Sequence, residues 1–483
     1  VDISNLYSYQ ASNAAHLAKV LQECGAALDG SDAGTGKTRT VLAVARYFGM
    51  KPVVVCPKSV SSGWHREAAA LGGTCFTTSY EMLTRGTNEF GGMVDPDQYG
   101  PAKLEKSAAE AEYAAIMVDP TKGNKLDSFF RVERARKALK YWKARRQFRW
   151  KEKFPLVIFD EIHRCKDGGT LNSKALVACR KQGIPVVGLS ATAAENPMHL
   201  KALGFVLGLH KSTDFHNWCL SFGCSNDSRN QLAYYGGREN LRRLHSSIYP
   251  RHGVRTSIDD LGDKFPETQI LAELYDVEGH AEIDAIYAEV DTALATLRQR
   301  SELDADPEHP LTVILRLRQK IEILKVPLLT ELIEQGIENN QSVAVFVNYN
   351  ATIDELRSRF PSAVCIRGGQ TASEREEARA AFQEDRSRVI LCNIQAGGVG
   401  IDLHDVTGKH QRLSLISPTY SAINLIQVLG RVRRAGGKSK SLQRIVLASD
   451  TVEEEIHKRL QGKLDNLSMI NDGDLNQLIP KAI

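Results

Sequence analysis

Two kinds of hydrophobic pattern alternate along the chain. Short unbroken apolar runs, closed by Pro, Gly or a polar residue, are separated by stretches in which apolar positions return every three or four residues. Pro52-Val53-Val54-Val55-Cys56-Pro57, Leu156-Val157-Ile158-Phe159 and Pro185-Val186-Val187-Gly188-Leu189 are runs of the first kind, with Ala26-Ala27-Leu28 and Thr74–Thr78 as shorter ones. A run that is apolar on both faces suits a strand buried between two layers of helix, so these predict a parallel sheet. From about His210 to Leu324 the pattern turns mainly helical, as in Glu239–His245, Ala281–Arg298 and Leu311–Leu324. The strand–helix rhythm then resumes. Val343–Val347, Ala363–Ile366, Val389–Cys392 and Leu413–Ile416 predict strands, and Ala351–Phe360 and Ser373–Phe382 amphipathic helices. The expected fold is α/β, with two parallel-sheet domains and helical insertions. Residues 1–208 form the first domain, 209–325 a mainly helical bridge or insertion, and 326–483 the second domain with a C-terminal helical segment. Residues 86–153 read as an insertion in the first domain, loop-like over 86–101 and helical around Lys103–Met117.

Bulk properties narrow the class only a little. At 42% hydrophobic and 25% charged residues, the composition is that of a globular protein with substantial cores. A net charge of +4 does not by itself imply a polyanion partner, so any such surface must be local. Arg131–Phe154 is such a place: eleven Lys and Arg stand against two Glu, interleaved with Tyr141, Trp142, Phe148 and Trp150. If helical, it sets Arg136, Lys140 and Lys143 on one face, where they can meet a phosphate backbone together. Trp142 or Trp150 could stack on an exposed base. The competing reading is a solvated helix whose aromatics pack on the core. Nine cysteines without a C-x-x-C pair suggest a reducing compartment, and the spacing of Cys219 and Cys224 suits no common zinc site. No apolar run reaches membrane-span length and no signal-peptide pattern opens the chain, so an intracellular protein is expected.

The chemistry centres on Ser31-Asp32-Ala33-Gly34-Thr35-Gly36-Lys37-Thr38, which fits G-x-x-x-x-G-K-[ST] except at Ser31, with Gly30 one residue earlier. Small residues let the backbone curl so that its N–H groups converge on phosphate oxygens. Lys37 can then reach the β/γ-phosphates and the Thr38 hydroxyl can hold Mg²⁺. The motif lies between the apolar Ala26-Ala27-Leu28 and a helical pattern through Val41, Leu42, Val44 and Ala45, which places a helix N-terminus against the phosphates. Upstream, the Gln10 amide could pair bidentately with an adenine edge. Asp160-Glu161-Ile162-His163 ends a buried strand; Asp160 can hold the Mg²⁺ shell and Glu161 can orient and deprotonate water. Lys58 follows another strand at the end where open α/β sheets present ligand loops. Ser190-Ala191-Thr192 could relay changes at the γ-phosphate, or simply cap a helix.

One phosphate loop, a D-E-x-H, a later S-A-T and the distal Gln427-Val428-Leu429-Gly430-Arg431-Val432-Arg433-Arg434 together resemble a superfamily 2 helicase. Within that superfamily the chain is most similar to the Snf-type DNA translocases. The likeness is carried by Val55-Cys56-Pro57-Lys58 with Trp64, Ser79-Tyr80-Glu81, Asp160–Lys166, Glu195-Asn196-Pro197, Arg255, and Gln395-Ala396-Gly397-Gly398-Val399-Gly400. It implies two RecA-like domains, ATP and Mg²⁺ in the cleft between them and DNA across their top. By the same likeness Gln10 reads adenine, Asp402 reaches the ribose, and Arg431 and Arg434 are arginine fingers. Lys58, Ser79, Gln395 and Gly397 lie in motifs that face nucleic acid. Remodellers of this branch usually carry T-G-T where Ser190-Ala191-Thr192 stands, and they add histone-reading domains that this sequence lacks. The chain therefore looks like compact phage or bacterial enzymes that act on branched replication and recombination intermediates, working in the bacterial or phage-infected cytoplasm, or in the nucleus if eukaryotic. An RNA helicase and a nucleotide-gated binding switch that does not move are the competing functions.

Overall fold

The computed structural model describes residues 6–84, 88–228, 230–258, 260–261, 266–275, 319–397, 401–419, 421–434, 436–449 and 451–472. Two six-stranded sheets organise them, and every strand pair in both is parallel. Across the first sheet the order is Gly253–Val254, Ala26–Asp29, Val186–Leu189, Val157–Asp160, Val53–Cys56, Phe76–Ser79. Across the second it is Thr268–Tyr275, Ser441–Ala448, Gln411–Ile416, Gln341–Val347, Val389–Asn393, Val364–Ile366.

The unbroken apolar runs are explained by burial on both faces. Val53, Val55, Val157 and Phe159 point into one core and Val54, Cys56, Leu156 and Ile158 into the opposite one. The second sheet repeats this, with Ala344, Phe346, Ile390 and Cys392 on one side and Val343, Val345, Val347 and Leu391 on the other. Period-two alternation between two apolar layers is what a doubly covered parallel sheet requires.

The stretch 209–325 holds more strand than its sequence pattern indicates. Gly253–Val254 adds the edge of the first sheet, pairing with Leu28 and Asp29, and Thr268–Tyr275 adds the edge of the second. The first is two residues long and the second carries Gln269 and Glu273, so neither looks like an apolar run. A small antiparallel pair, Cys224–Asn226 with Leu232–Tyr234, also lies here. Of the expected helices, Glu239–His245 falls within Arg238–Ile248. Ala281–Arg298 and most of Leu311–Leu324 lie outside the described residues.

The segment 86–153 is built on a two-stranded ribbon, Gly91–Val94 against Gln147–Trp150, which carries a hairpin of two helices, Tyr99–Val118 and Lys125–Arg145. No helix among the described residues is long and apolar enough to cross a membrane.

Candidate active site and nucleic-acid surface

The phosphate loop follows strand Ala26–Asp29 and runs into helix Lys37–Tyr47. Gly34 and Gly36 have φ of +92° and +84°, a region that L side chains avoid. Gly30 meets a different demand: a Cβ there would sit 1.9 Å from the Tyr249 hydroxyl oxygen. Lys37 Nζ lies under the loop and donates to the Ser31 and Asp32 carbonyls at 2.8 and 2.9 Å. Burial lowers its pKa, opposed by Asp29, Glu161, Asp32 and Asp160 around it. Thr35 turns its hydroxyl onto the Asp32 carbonyl, and Thr38 opens the helix beside Lys37. Gln10 is buried rather than solvated. Its Nε2 donates to the Thr35 carbonyl at 3.0 Å and its Oε1 accepts from Tyr7 N, so the amide rests directly on the loop.

Strand Val157–Asp160 brings the two carboxylates to the same end of the sheet. Asp160 is held by Trp64, whose Nε1 donates to its Oδ2 at 3.0 Å, and by the Tyr80 hydroxyl, which donates to its carbonyl at 2.8 Å. The Trp64 and Ser79-Tyr80-Glu81 motifs thus act on this strand end. Glu161 adopts φ +58°, a left-handed conformation that costs a non-glycine residue about 1 kcal/mol or more and marks functional turns. Burial and the neighbouring Glu161 push the Asp160 carboxyl up to about 6. Burial also opposes the charge on Glu161, but His163, Lys37 and Arg431 outweigh it and hold Glu161 ionised. His163 Nδ1 stands 3.3 Å from Glu161 Oε2 and 3.1 Å from Ser190 Oγ, and Ser190 Oγ lies 3.4 Å from Thr192 Oγ1. The S-A-T segment is thereby wired to the D-E-x-H. Within the segment itself, Thr192 N also donates to Ser190 Oγ at 3.1 Å.

The second sheet's lobe closes the site from the other side. A Cβ on Gly430 would lie 2.7 Å from the Ala33 Cβ, and one on Gly34 would lie 3.0 Å from both the Arg433 carbonyl oxygen and Arg434 Cδ. Arg434 Nη2 pairs with Asp402 Oδ1 at 2.8 Å, while the buried Arg434 Nε has no hydrogen-bond partner. Arg431 is buried, with Nη1 donating to the Ile401 carbonyl, and burial and Arg434 lower its pKa to about 10. Lys37 and Arg431, one from each lobe, both lie within electrostatic reach of Asp160 and Glu161, and Arg434 stands beside Arg431. An orphaned arginine donor aimed at a phosphate loop fits a triphosphate. The Thr38 hydroxyl and the Asp160 carboxyl are hard-oxygen donors of the kind that would hold Mg²⁺.

The residues expected to face nucleic acid are less uniform. Lys58 is exposed at the end of Val53–Cys56, and Gln395 is exposed on the short helix Ile394–Gly397, which also contains Gly397. Ser79 is nearly buried and its hydroxyl oxygen accepts the Met82 amide, so the structure uses it as a helix cap rather than as a surface contact. In the basic hairpin, Trp150 is a core residue at 1% exposure, its Nε1 donating to the Ala175 carbonyl at 3.1 Å. Stacking on a base is ruled out for it. Arg136 is exposed but drawn into ion pairs with Glu110 and Glu133, and Arg131 into pairs with Glu105 and Glu112. The facing helix Tyr99–Val118 supplies three of those four carboxylates, which a count over Arg131–Phe154 alone does not register. Lys140 and Lys143 stay exposed, as do Arg134 and Lys137, and Trp142 is half-buried against Tyr141.

Two parallel-sheet lobes meeting across a phosphate loop, with arginines from the far lobe, define an ATP-hydrolysing helicase. Known proteins agree. Residues 324–436 match the helicase conserved C-terminal domain. A putative ATP-dependent RNA helicase of Acanthamoeba polyphaga mimivirus is 32% identical over 98% of this chain and 84% of its own length. The Caenorhabditis elegans homologue of SWI/SNF-related matrix-associated actin-dependent regulator of chromatin subfamily A-like protein 1 is 24% identical over 97% of this chain and 62% of its own. The Saccharomyces cerevisiae DNA repair and recombination protein RAD54 is 27% identical over 28% of this chain and 15% of its own. The chain belongs to the superfamily 2 helicases, in their Snf-type branch.

Proposed function

We propose that this helicase is an ATP- and Mg²⁺-dependent DNA translocase that remodels or branch-migrates forked and four-way DNA. The observation that carries the reading is the packing of Gly430 and Arg434 from one lobe on Ala33 and Gly34 of the other. A nucleotide held there touches both lobes, so hydrolysis depends on closure and closure on nucleotide. Ser31–Thr38 hold the phosphates, Gln10 the adenine and Asp402 the ribose. Thr38 and Asp160 would hold Mg²⁺, which would neutralise phosphate charge. Glu161, kept ionised by His163, takes the proton of the attacking water. Lys37, Arg431 and Arg434 stabilise charge on the transferred phosphoryl group. Asp402 and Arg434 hold each other at 2.8 Å, and nucleotide replaces that contact on both sides. On the DNA side, Lys58, Lys140 and Lys143 meet phosphates, Trp142 stacks at the hairpin, and Gln395 and Gly397 grip from the second lobe. Such work belongs where the DNA is, in a bacterial or phage-infected cytoplasm or in a nucleus.

The DNA repair and chromatin names of two relatives support a DNA substrate, and the name of the viral relative points to RNA. ATPase stimulation by linear, forked and four-way DNA and by RNA decides between them. Forked and four-way DNA are expected to stimulate most, with triplex displacement reporting movement. Greater stimulation by RNA, or hydrolysis without triplex displacement, overturns the DNA translocase reading.

A further inference from the structure

The phosphate loop has a back as well as a front, and residues 253–258 are laced along it. Gly30 N donates to the Val254 carbonyl at 2.9 Å, Asp32 N to the Thr256 carbonyl at 3.0 Å, and Thr256 N to Ser31 Oγ at 3.1 Å. Ile258 N donates to Asp32 Oδ2 at 2.9 Å. Arg255 sits at the centre of this seam with its side chain only 9% exposed. Its Nη1 lies 2.7 Å from Asp32 Oδ1 and 2.7 Å from the Gly30 carbonyl oxygen, and its Nε 2.7 Å from Asp472 Oδ1. Burial opposes its charge, but Asp32 and Asp472 outweigh that and raise its pKa.

Asp472 arrives from far along the chain. Helix Val452–Asp472 places Leu460, Leu464 and Leu467 in the core of the second lobe and Met469 and Ile470 in that of the first. Its last turn grips three parts of the first lobe. Asn471 Nδ2 donates to the Ala191 carbonyl at 2.7 Å, the Ile470 carbonyl oxygen lies 3.0 Å from His245 Nδ1, and Asp472 pairs with Arg255.

We propose that Arg255 is a positioning residue for ATP hydrolysis, and that Asp472 lets the helix rooted in the second lobe set its grip on the phosphate loop. The physical need is plain. Asp32 is an anion within a loop built for a polyanion, and Arg255 both neutralises it and holds it turned away from the phosphate side. Three acceptors at fixed directions suit a planar guanidinium, whereas an ammonium cannot serve them with the same geometry. Displacement of the C-terminal helix changes the Arg255–Asp472 contact and hence the strength of the Arg255–Asp32 contact. Movement between lobes is thereby felt behind the nucleotide as well as in front of it.

The inference rests on Ser31–Thr38 being the phosphate loop, so Lys37→Ala is measured alongside. KM for ATP and kcat with saturating DNA are measured on the full chain for Arg255→Ala, Arg255→Lys, Asp472→Asn and Arg255→Ala/Asp32→Asn. Arg255→Ala is expected to raise KM about tenfold and Arg255→Lys about threefold. Removing the opposing carboxylate in the double variant recovers most of that loss, which a merely structural role does not allow. Asp472→Asn is expected to lower DNA-stimulated kcat several-fold while KM changes less than twofold. A double variant no better than Arg255→Ala, or wild-type kinetics in Arg255→Lys and Asp472→Asn, overturns the proposal. If Arg255→Ala does not fold, Arg255→Lys and Asp472→Asn decide it. Full turnover in Lys37→Ala sinks the site assignment instead.

Discussion

Gly430 offers a way to hold the two lobes apart without touching a charged group. Its φ of −76° and ψ of 0° are open to alanine, so Gly430→Ala introduces no backbone strain. The added methyl, however, would lie 2.7 Å from the Ala33 Cβ. Carbon atoms prefer roughly 3.5–4.0 Å, so the lobes must separate by about 1 Å at this point or distort locally. Overpacking of this kind costs about 1–3 kcal/mol. If the cost falls on the closed state alone, the closed population drops by a factor of about 5–150, and kcat falls with it. ATP binding to the first lobe is spared, because Ser31–Thr38 are unchanged. The Ala33→Gly substitution removes the opposing Cβ, so the double variant regains kcat. Steady-state ATPase with saturating DNA, alongside nucleotide affinity by titration, measures both quantities. Wild-type kcat in Gly430→Ala, or a double variant as slow as the single, refutes the argument that this contact defines the closed state.

Other variants probe the site from different sides. Lys37→Ala is expected to weaken ATP binding and abolish turnover, whereas Glu161→Gln keeps binding and loses turnover by about 10² or more; full activity in the second removes the base. Arg434→Ala should bind ATP and DNA yet lose DNA-stimulated hydrolysis by a factor of about 10³, and retained stimulation passes the role to Arg431. Burial and Glu161 raise the Asp160 carboxyl to about 6, so its neutral form favours folding and that contribution is lost as pH rises from about 4 through about 6. Asp160→Asn is therefore expected to raise stability at pH 7.5 without Mg²⁺ by roughly 1–2 kcal/mol while abolishing turnover; a lowered Tm contradicts the sign. Neutralising Arg134, Lys137, Lys140 and Lys143 together should flatten the salt dependence of DNA binding by about 0.9 log units per lost duplex contact, and an unchanged slope makes the hairpin structural.

The sequence exposed those parts of the fold whose logic is local. Val53–Cys56 and Val157–Asp160 are legible because a doubly covered strand needs apolar residues at every position. The turn at Ser31–Thr38 is legible because its glycines and Lys37 fall within eight consecutive residues. Strand Ser441–Ala448 was not legible: Gln443 and Arg444 interrupt it, and Gln443 is tolerated because its Nε2 reaches the Leu429 carbonyl. The aromatics of the basic segment misled for a related reason. Trp150 looks like its exposed neighbours until the ribbon folds it onto Ala175. The links from His163 to Ser190 and from Arg255 to Asp472 join residues with no shared periodicity. Nothing short of the folded chain announces them.

The split origin of the first sheet bears on how the protein is made. Its edge strand, Gly253–Val254, emerges about 64 residues after Val186–Leu189, an interval of roughly 3–13 s at 5–20 residues per second. Met469 and Ile470, which also fill that lobe's core, follow only when nearly all the described chain has been translated. During synthesis the nascent lobe therefore carries an unpaired edge beside Leu28 and an apolar vacancy near His245, both open to a chaperone or to a neighbouring nascent chain. Completion of the nucleotide site awaits translation of Arg434 and of helix Val452–Asp472, so products truncated before them are expected to lack ATPase activity rather than to run unregulated.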